Sequence, residues 1–401
     1  MNVCMVAYTF YEFAARVRRY AEALAKRGDH VDVLALKTRG QARYECINGV
    51  HLHRIQSREI NEKTKASYLA RLLLFLVNST AVLSWFHLQK RYKAVHVHSV
   101  PDFEVFAAWL PKLTGARLIL DIHDLVPEFY SMKFRVSRSS VVYKMLLFVE
   151  RFSAWFADHV IIANDIWRER LVQRSVPAHK CTALLNFPDT SIFRRRGRSR
   201  TDSKFIMLYP GTINHHNGLD IALRAMTRIK EIVPELEFHI YGMGPAKDEI
   251  VALIDELKLG PQVHLHGMVP ADKLAAIVEN ADLGVVPKRA NLFSDEAFST
   301  KILEFMALGI PVLCSKTTID QFYFNDSLVE FFEPENDADL ARAILSVIRH
   351  PEIGRRRVEN ATRFIAKNNW DVKKTIYFDL LQGKRADMSK AHGPVKVASN
   401  S

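Results

Sequence analysis

The sequence predicts two α/β domains in tandem, each a doubly wound parallel sheet with helices on both faces. Three observations predict this. At 401 residues the chain is longer than one ordinary core supports. Apolar strand-like runs alternate with helical stretches throughout, the pattern of repeated βαβ units. A polar, basic stretch from Arg194 to Lys204 splits that alternation in two and reads as a linker.

The elements follow in order. NVCMVAY, from Asn2, reads as a first strand; no basic region precedes its apolar residues, so it does not read as a signal peptide. A helix through ARVRRYAEALAKRG leads to the strand HVDVLAL. AVHVHSV, a helix ending near Leu113, RLILDIHD, a long helix from Val141 to Ala157 and HVIIAN continue the alternation, and CTALLNFPD closes the first half. The second half opens with FIMLYPG and a helix from Asp220; LEFHIYG, VHLHG, LGVVP and PVLCS are its further strands. Helices are expected at Ser299–Leu308, Asp337–Arg349 and Trp370–Leu381. The predicted domains are 1–193 and 205–369, joined by 194–204, with a final helix at 370–383 and a disordered polar tail at 384–401.

Composition narrows the function classes. Hydrophobic content of 48% and charged content of 25% fit a globular chain and exclude a disordered one. A net charge of +12 favours anionic partners: nucleotides, nucleic acid or lipid headgroups. The Arg194–Lys204 stretch has no interleaved aromatics, which argues against nucleic acid. Cys4, Cys46, Cys181 and Cys314 are far apart and lack metal-ligand spacing, as expected of free thiols in a reducing cytosol. The apolar run from Ser67 to Arg91 is broken by Arg71, Asn78, Ser79, Thr80 and Ser84, so no uninterrupted apolar stretch reaches spanning length. A helix packed on a sheet is one reading. The flanking Lys63, Lys65, Lys90, Arg91 and Lys93 support another, a helix lying at the inner face of an anionic membrane.

The chemistry should lie at the C-terminal edges of the strands, where ligands of open α/β sheets bind. Helix N-termini there attract phosphate through free N–H groups and aligned peptide dipoles. One candidate follows PGTINHHNGLD, where Gly211 and Gly218 allow close backbone approach. The other opens at Ser299 in SDEAFSTKILEFMALGIPV. Lys301 sits in its first turn, where the dipole disfavours a cation unless an anion is near; a diphosphate would be that anion. Glu304, on the same face, accepts hydrogen bonds and suits a vicinal diol such as a ribose. Glu296, in the preceding loop, suits another hydroxylated group. Spacing alone leaves open an ordinary surface pair.

EAFSTKILEFMALGIPV resembles the E-x7-E signature of the family 4 retaining glycosyltransferases, with Glu296 and Glu304 as the two acids. YGMGP, VHLHGMVP and ADLGVVP match further landmarks of that family in order. ARVRRYAEALAKRGDHVDVL, LDIHDLVPEF and LLNFPDTSIF resemble its first-domain segments, so the likeness covers about residues 1 to 381. The resemblance implies two Rossmann-like domains, the GT-B architecture, with an inter-domain cleft, a C-terminal helix returning to the first domain, and the nucleotide on the second. It implies retaining transfer from a nucleoside-diphosphate sugar to a glycan or lipid-linked acceptor in surface polysaccharide or glycolipid synthesis. No metal and no nucleic acid are expected. The protein would be cytoplasmic or peripheral on the inner membrane face.

Carried over residue by residue, His123, Glu296 and Lys301 become the catalytic set. Gly211, Thr212, Asn217, Gly218, Gly242, Phe298, Ser299, Thr300 and Glu304 become the donor set. Two departures stand out. The family often places Arg and Lys where this chain has Thr212 and Asn217, which shifts the diphosphate to Lys301, with His215 or His216 as weaker helpers. The usual glycine-rich first loop is replaced by TFYEFAARVRR, so Arg16, Arg18 and Arg19 are candidates for an anionic acceptor, or form a solvated helix face. The simple D-x-D match, Asp337–Asp339, reads as a helix start. Two other readings keep the fold: a nucleotide-sugar epimerase or hydrolase, and a non-catalytic membrane-associated binding subunit.

Overall fold

Two predominantly parallel sheets organise the computed structural model, which describes residues 1–58, 65–291 and 293–384. The expected disordered tail beyond residue 384 and the flanking Lys63 lie outside the described residues. The chain divides into two compact units. One takes Met1–Asn186 and the C-terminal segment from Lys374; the other takes Phe187–Lys373.

The first unit holds eight strands: β1 (Asn2–Ala7), β2 (His30–Lys37), β3 (Tyr44–Ile47), β4 (Val50–Ser57), β5 (Ala94–His98), β6 (Arg117–Ile122), β7 (His159–Ile162) and β8 (Cys181–Ala183). Their order is β3-β4-β2-β1-β5-β6-β7-β8. All pairings are parallel except the β3–β4 hairpin. That hairpin turns on Asn48–Gly49, both at positive φ, which suits the right-handed twist of the flanking strands. The helices are α1 (Ala15–Lys26), α2 (Lys65–Lys90), α3 (Trp109–Leu113), α4 (Val126–Phe134), α5 (Val141–Phe156) and α6 (Asp165–Arg174). Winding reverses beside β1: the chain moves one way to β2 and β4, then crosses back to β5 and onward. Right-handed crossovers therefore put α1 on one face and α2, α3 and α5 on the other.

The second unit holds β9 (Phe205–Pro210), β10 (Leu236–Tyr241), β11 (Val263–His266), β12 (Leu283–Val286), β13 (Val312–Ser315) and β14 (Glu330–Phe332), all parallel, in the order β11-β10-β9-β12-β13-β14. Its helices are α7 (Leu219–Ile229), α8 (Lys247–Glu256), α9 (Ala271–Val278), α10 (Thr300–Leu308), α11 (Thr318–Tyr323), α12 (Asp337–Arg349) and α13 (Pro351–Lys367). Winding reverses between β9 and β12. Leu236, Phe238 and Ile240 of β10 pack with Leu219, Leu223 and Met226 of α7 and with Leu340 and Ile344 of α12 in one apolar core. A last helix, α14 (Trp370–Leu381), begins in the second unit, where the Trp370 N–H donates to Pro188 O at 3.1 Å. It ends in the first, where Tyr377 Oη meets His96 Nδ1 at 2.9 Å and Arg117 donates to Leu380 O at 2.6 Å.

Two expectations change. Arg194–Lys204 is not a free linker; it is strapped to the second unit. Glu279 accepts from the Arg196 and Gly197 N–H groups, Asn280 accepts from Ser199, and Asp282 pairs with Arg198 and Arg200 at 2.6 and 2.5 Å. The acids after α9 supply the partners that hold it. Nor is α2 a wholly packed core helix. Leu72, Phe75 and Leu83 are buried, but Leu69, Leu73, Val77, Trp85 and Leu88 are exposed. The cysteines are all free; Cys4, Cys181 and Cys314 are buried, and Cys46 on β3 is exposed. Burial raises the three buried thiols, Cys181 to about 12.

Asp32 on β2 ties α2 to the sheet. It accepts from Lys90 at 2.8 Å, from Tyr92 at 2.8 Å and from His53 at 2.7 Å. Burial pushes its carboxyl up, but these bonds outweigh burial and hold it well below the ordinary range. A depressed folded-state pKa adds stability that is present above the unfolded value, near 3.9 for Asp, and is lost as pH falls through the folded one. Asp32→Ala leaves Lys90 without its carboxylate, a change expected to cost about 3 kcal/mol. Urea titrations at neutral pH and at about pH 3 check this; the wild-type advantage over the variant shrinks at the lower pH.

Candidate active site

In the second unit the chemistry-bearing residues gather at the C-terminal ends of β9, β10 and β12, beside the winding reversal. The loops after β9 and β10 are stacked closely. Gly211 N–H donates to Tyr241 O at 2.8 Å, and a Cβ on Gly242 would stand 1.9 Å from Gly211 O. Only a residue without a side chain allows that approach. A Cβ on Gly211 would stand 2.2 Å from Lys301 Cε, so this glycine leaves the lysine its place. Gly218, at φ +64°, opens α7.

Helix α10 ends at Gly309 in the left-handed conformation, a standard stop. Its other end is unusual. Ser299 occupies the N-cap position but makes no capping bond, and its buried Oγ has no hydrogen-bond partner among the described residues. No acid lies in the first turn. The orphan N–H groups of the helix start thus have no capping side chain, and the residue added there is a cation, Lys301. Lys301 makes no hydrogen bond or salt bridge among the described residues; Nζ lies 5.2 Å from the Tyr209 ring centroid. Burial pushes its ammonium below the ordinary lysine value, Glu304 opposes, and Lys288 adds to the lowering. A positive helix end and a half-buried cation side by side form an anion site.

The loop before α10 is held from two sides. Asp295 accepts from the Thr318 N–H at 2.9 Å and from its hydroxyl at 2.6 Å. Lys288 is buried, pairs with Asp320 at 2.8 Å and donates to Ala297 O at 2.9 Å. Glu296 lies between these anchors, partly exposed, and the Phe298 ring packs edge-on against Tyr323 at 5.1 Å. Thr300 opens α10, and Glu304 is partly exposed one turn beyond. Lys288 escaped the sequence reading, although it directly follows the VVP landmark.

The loop after β9 carries Thr212 and Asn217. Asn217 Nδ2 donates to Thr212 O at 2.7 Å, so its amide braces the loop, while Thr212 is exposed. Burial, with Lys301 next, lowers His216, which makes it a neutral ring and not a second cation.

In the first unit a cavity of about 490 Å³ opens at the corresponding reversal. Its lining includes Tyr8, Phe13, Arg58, Tyr68, His98 and His123. Arg58 lies over the rings of Tyr8 and Tyr68 at 5.1 and 5.5 Å; the sequence reading did not single it out. His123 Nε2 faces Asp121 at 3.2 Å and His98 Nδ1 at 3.2 Å. Asp121 is fully buried, and Arg16 donates to both its oxygens at 2.8 Å. Burial raises Asp121, but Arg16 and His123 outweigh it and keep the carboxylate ionised. Burial lowers His98 to about 4, a neutral ring at pH 7.

The three candidate arginines all have partners within the first unit, and Arg16 also lines the cavity. Arg16 is buried on Asp121 and Leu184 O, and Arg19 is buried against Asn186. Arg18 is half-buried and pairs with Glu22 at 3.3 Å. With Arg16 and Arg19 buried, their helix is not a solvated basic face.

Among the described residues, two groups bring three metal-ligand side chains within 4.8 Å: His96–His98–Asp121 and Glu237–His239–His264. Arg16 occupies the first group's carboxylate, and Lys204 binds that of the second at 2.5 Å. The D-x-D pair is a helix start. Asn336 caps α12, Asp337 pairs with Arg228, and Asp339 accepts from the Glu333 N–H.

Residues 13–186 match the glycosyl transferase 4-like domain, and residues 191–364 match the group 1 glycosyl transferases. The putative colanic acid biosynthesis glycosyltransferase WcaL of Salmonella typhimurium is 24% identical over 190 residues, 47% of each chain. The chain spans about half the length of such curated relatives. Sucrose-phosphate synthase from Thermosynechococcus elongatus superposes with a TM-score of 0.77 at 20% identity, over 96% of this chain and 100% of that one. Anabaena Alr3699/HepE in complex with UDP-glucose gives 0.69 at 14% identity, over 94% and 100%. The matched models cover both units in order, and the chain belongs to the glycosyltransferases that join a 4-like domain to a group 1 domain.

Proposed function

We propose that the chain is a retaining glycosyltransferase that moves a sugar from a nucleoside-diphosphate sugar to a glycan or lipid-linked acceptor in surface polysaccharide synthesis. The observation that carries this reading is the uncapped start of α10, with Lys301 in its first turn and no anion bonded to it among the described residues. A diphosphate supplies the missing charge. The relatives support the class: one is named for colanic acid biosynthesis, and one neighbour holds UDP-glucose.

In this reading the second unit binds the donor. Lys301 and the α10 N–H groups stabilise the charge that grows on the departing β-phosphate, and no metal takes part. Glu304 accepts from the ribose hydroxyls, and Glu296 from the transferred sugar. The bond from the anomeric carbon to the phosphate oxygen breaks as the bond to the acceptor oxygen forms on the same face. The acceptor proton passes to the departing phosphate. In the first unit, Nε2–H donation to Asp121 leaves His123 Nδ1 as an acceptor for a sugar hydroxyl. The tyrosines and Arg58 of the 490 Å³ cavity bind the acceptor. The buried Arg16–Asp121 pair acts through His123, as a positioning device.

Titration calorimetry separates these roles. Lys301→Met lowers affinity for both a nucleoside diphosphate and inorganic pyrophosphate by about tenfold to a hundredfold, the worth of a charged hydrogen bond. Glu304→Ala weakens only the nucleotide. Glu296→Ala leaves nucleoside diphosphate binding intact and abolishes transfer. Unchanged nucleotide affinity in Lys301→Met overturns the donor site. A thermal-shift screen of nucleoside diphosphates and their sugars identifies the base, because a bound ligand raises Tm by mass action. Donor consumption without acceptor would favour an epimerase or hydrolase.

Acceptor-side changes act differently. Arg58→Ala raises the acceptor KM with kcat nearly unchanged. His123→Ala lowers kcat by about a hundredfold or more and leaves nucleotide affinity alone. Steady-state kinetics at saturating donor read both.

A further inference from the structure

We infer that the face of the first sheet carrying α2, α3 and α5 docks on an anionic lipid bilayer. Helix α5 turns its largest apolar side chains outward. Its inward side carries Glu150 and Ser153, with Glu150 bound by Arg174 at 2.5 Å. Its outward stripe is Val141, Met145, Phe148, Phe152 and Trp155; Phe148 is 65% and Trp155 68% exposed. These residues recur every three or four positions, so they form one continuous apolar strip.

Helix α2 presents a matching strip through Leu69, Leu73, Val77, Trp85 and Leu88. Trp109 and Leu113 of α3 are exposed as well. Both α2 and α5 pack against the 3-10 segment Asp102–Ala108: Ser79 of α2 bonds Glu104, and the Phe152 ring of α5 lies tilted against Phe106 at 5.1 Å. The strips therefore neighbour each other on one face of the sheet. Most of the exposed large apolar side chains among the described residues lie here, more than a lone soluble face ordinarily shows.

Charge selects the occupant. From residue 67 to residue 157 no Asp or Glu is exposed; Asp102, Glu104, Asp121, Glu128 and Glu150 are buried, and Asp124 is partly so. The exposed charges in that span are basic: Arg91, Lys93, Lys133, Arg135, Lys144 and Arg151 among them. Apolar strips bearing tryptophans, in a span whose exposed charges are all basic, fit the boundary of a bilayer with anionic headgroups. Among the described residues α2 alone is long and apolar enough to cross a membrane. It lies on the surface instead, because Phe75 is fully buried in the unit and Lys90 is bonded to Asp32.

The test uses the full chain and vesicles of phosphatidylcholine alone or mixed equally with phosphatidylglycerol. Flotation is expected to show at least about tenfold tighter binding to the anionic vesicles, falling with added salt. Phe148→Glu with Trp155→Glu lowers that binding at least about tenfold, with the circular dichroism melt and nucleoside diphosphate affinity unchanged. Lys144→Glu with Arg151→Glu removes the preference for phosphatidylglycerol. Quenching of wild-type tryptophan emission by brominated lipids is expected too, and needs no variant. No binding to either vesicle, or variants that bind like the wild type, overturns the inference. So does a concentration-dependent dimer, seen by sedimentation without lipid and lost in Phe148→Glu, since a second copy would then cover the face. Because nucleotide affinity is read separately, failure here is distinguishable from failure of the donor site.

Discussion

A parallel sheet that reverses its winding beside its first strand leaves two loops diverging from neighbouring strand ends. Both units obey this constraint, and their candidate chemistry lies where it acts. In the first unit the loops after β1, β5 and β6 surround the cavity that holds His123. In the second, the loops after β9 and β12 diverge, and α10 begins beside them with its N–H groups lacking a side-chain cap. Gly211, Gly218 and Gly242 are consequences of the same crowding: each stands where a Cβ would meet another part of the chain. The site is thus made first by topology, and only then by acids and cations.

Much of this was legible in the sequence. Periodicity and end signals located α12 and α14 at their observed bounds, because Asn336 is an N-cap and Trp370 follows a polar break. The helix of Lys301 and Glu304 was recognisable from Ser299 at one end and Gly309 at the other. The β3–β4 hairpin was not foreseen, although Asn48–Gly49 carries its signal. What periodicity cannot supply is the partner of a distant residue. Arg16 looked like one of three surface cations, yet it meets Asp121, 105 positions away, because β1 and β6 flank β5. Lys288 was hidden for the same reason, since Asp320 comes from a later crossover. Alternation also says little about which stripe of an apolar helix faces inward. In α5 the acid and serine turn inward, and only packing reveals that.

The two candidate ion systems differ in physical kind. Asp121 is buried but answered by Arg16 and His123, so it stays ionised. Lys301 is half-buried, with no hydrogen bond or salt bridge among the described residues and with Glu304 as a neighbouring charge. The first arrangement stabilises one geometry. The second leaves a charge that the described residues do not pair, beside a helix start without a side-chain cap.

The distribution of thiols has a practical consequence. Three of the four cysteines lie inside the units, with their thiols raised by burial, and the fourth, Cys46, is exposed on the edge strand β3. Thiolate, not thiol, reacts with electrophiles. A maleimide dye therefore labels the native chain at one address, with no engineered cysteine. That address sits at the far end of the first sheet from β8, on a short hairpin. The molecule carries its own attachment point for distance measurements by energy transfer.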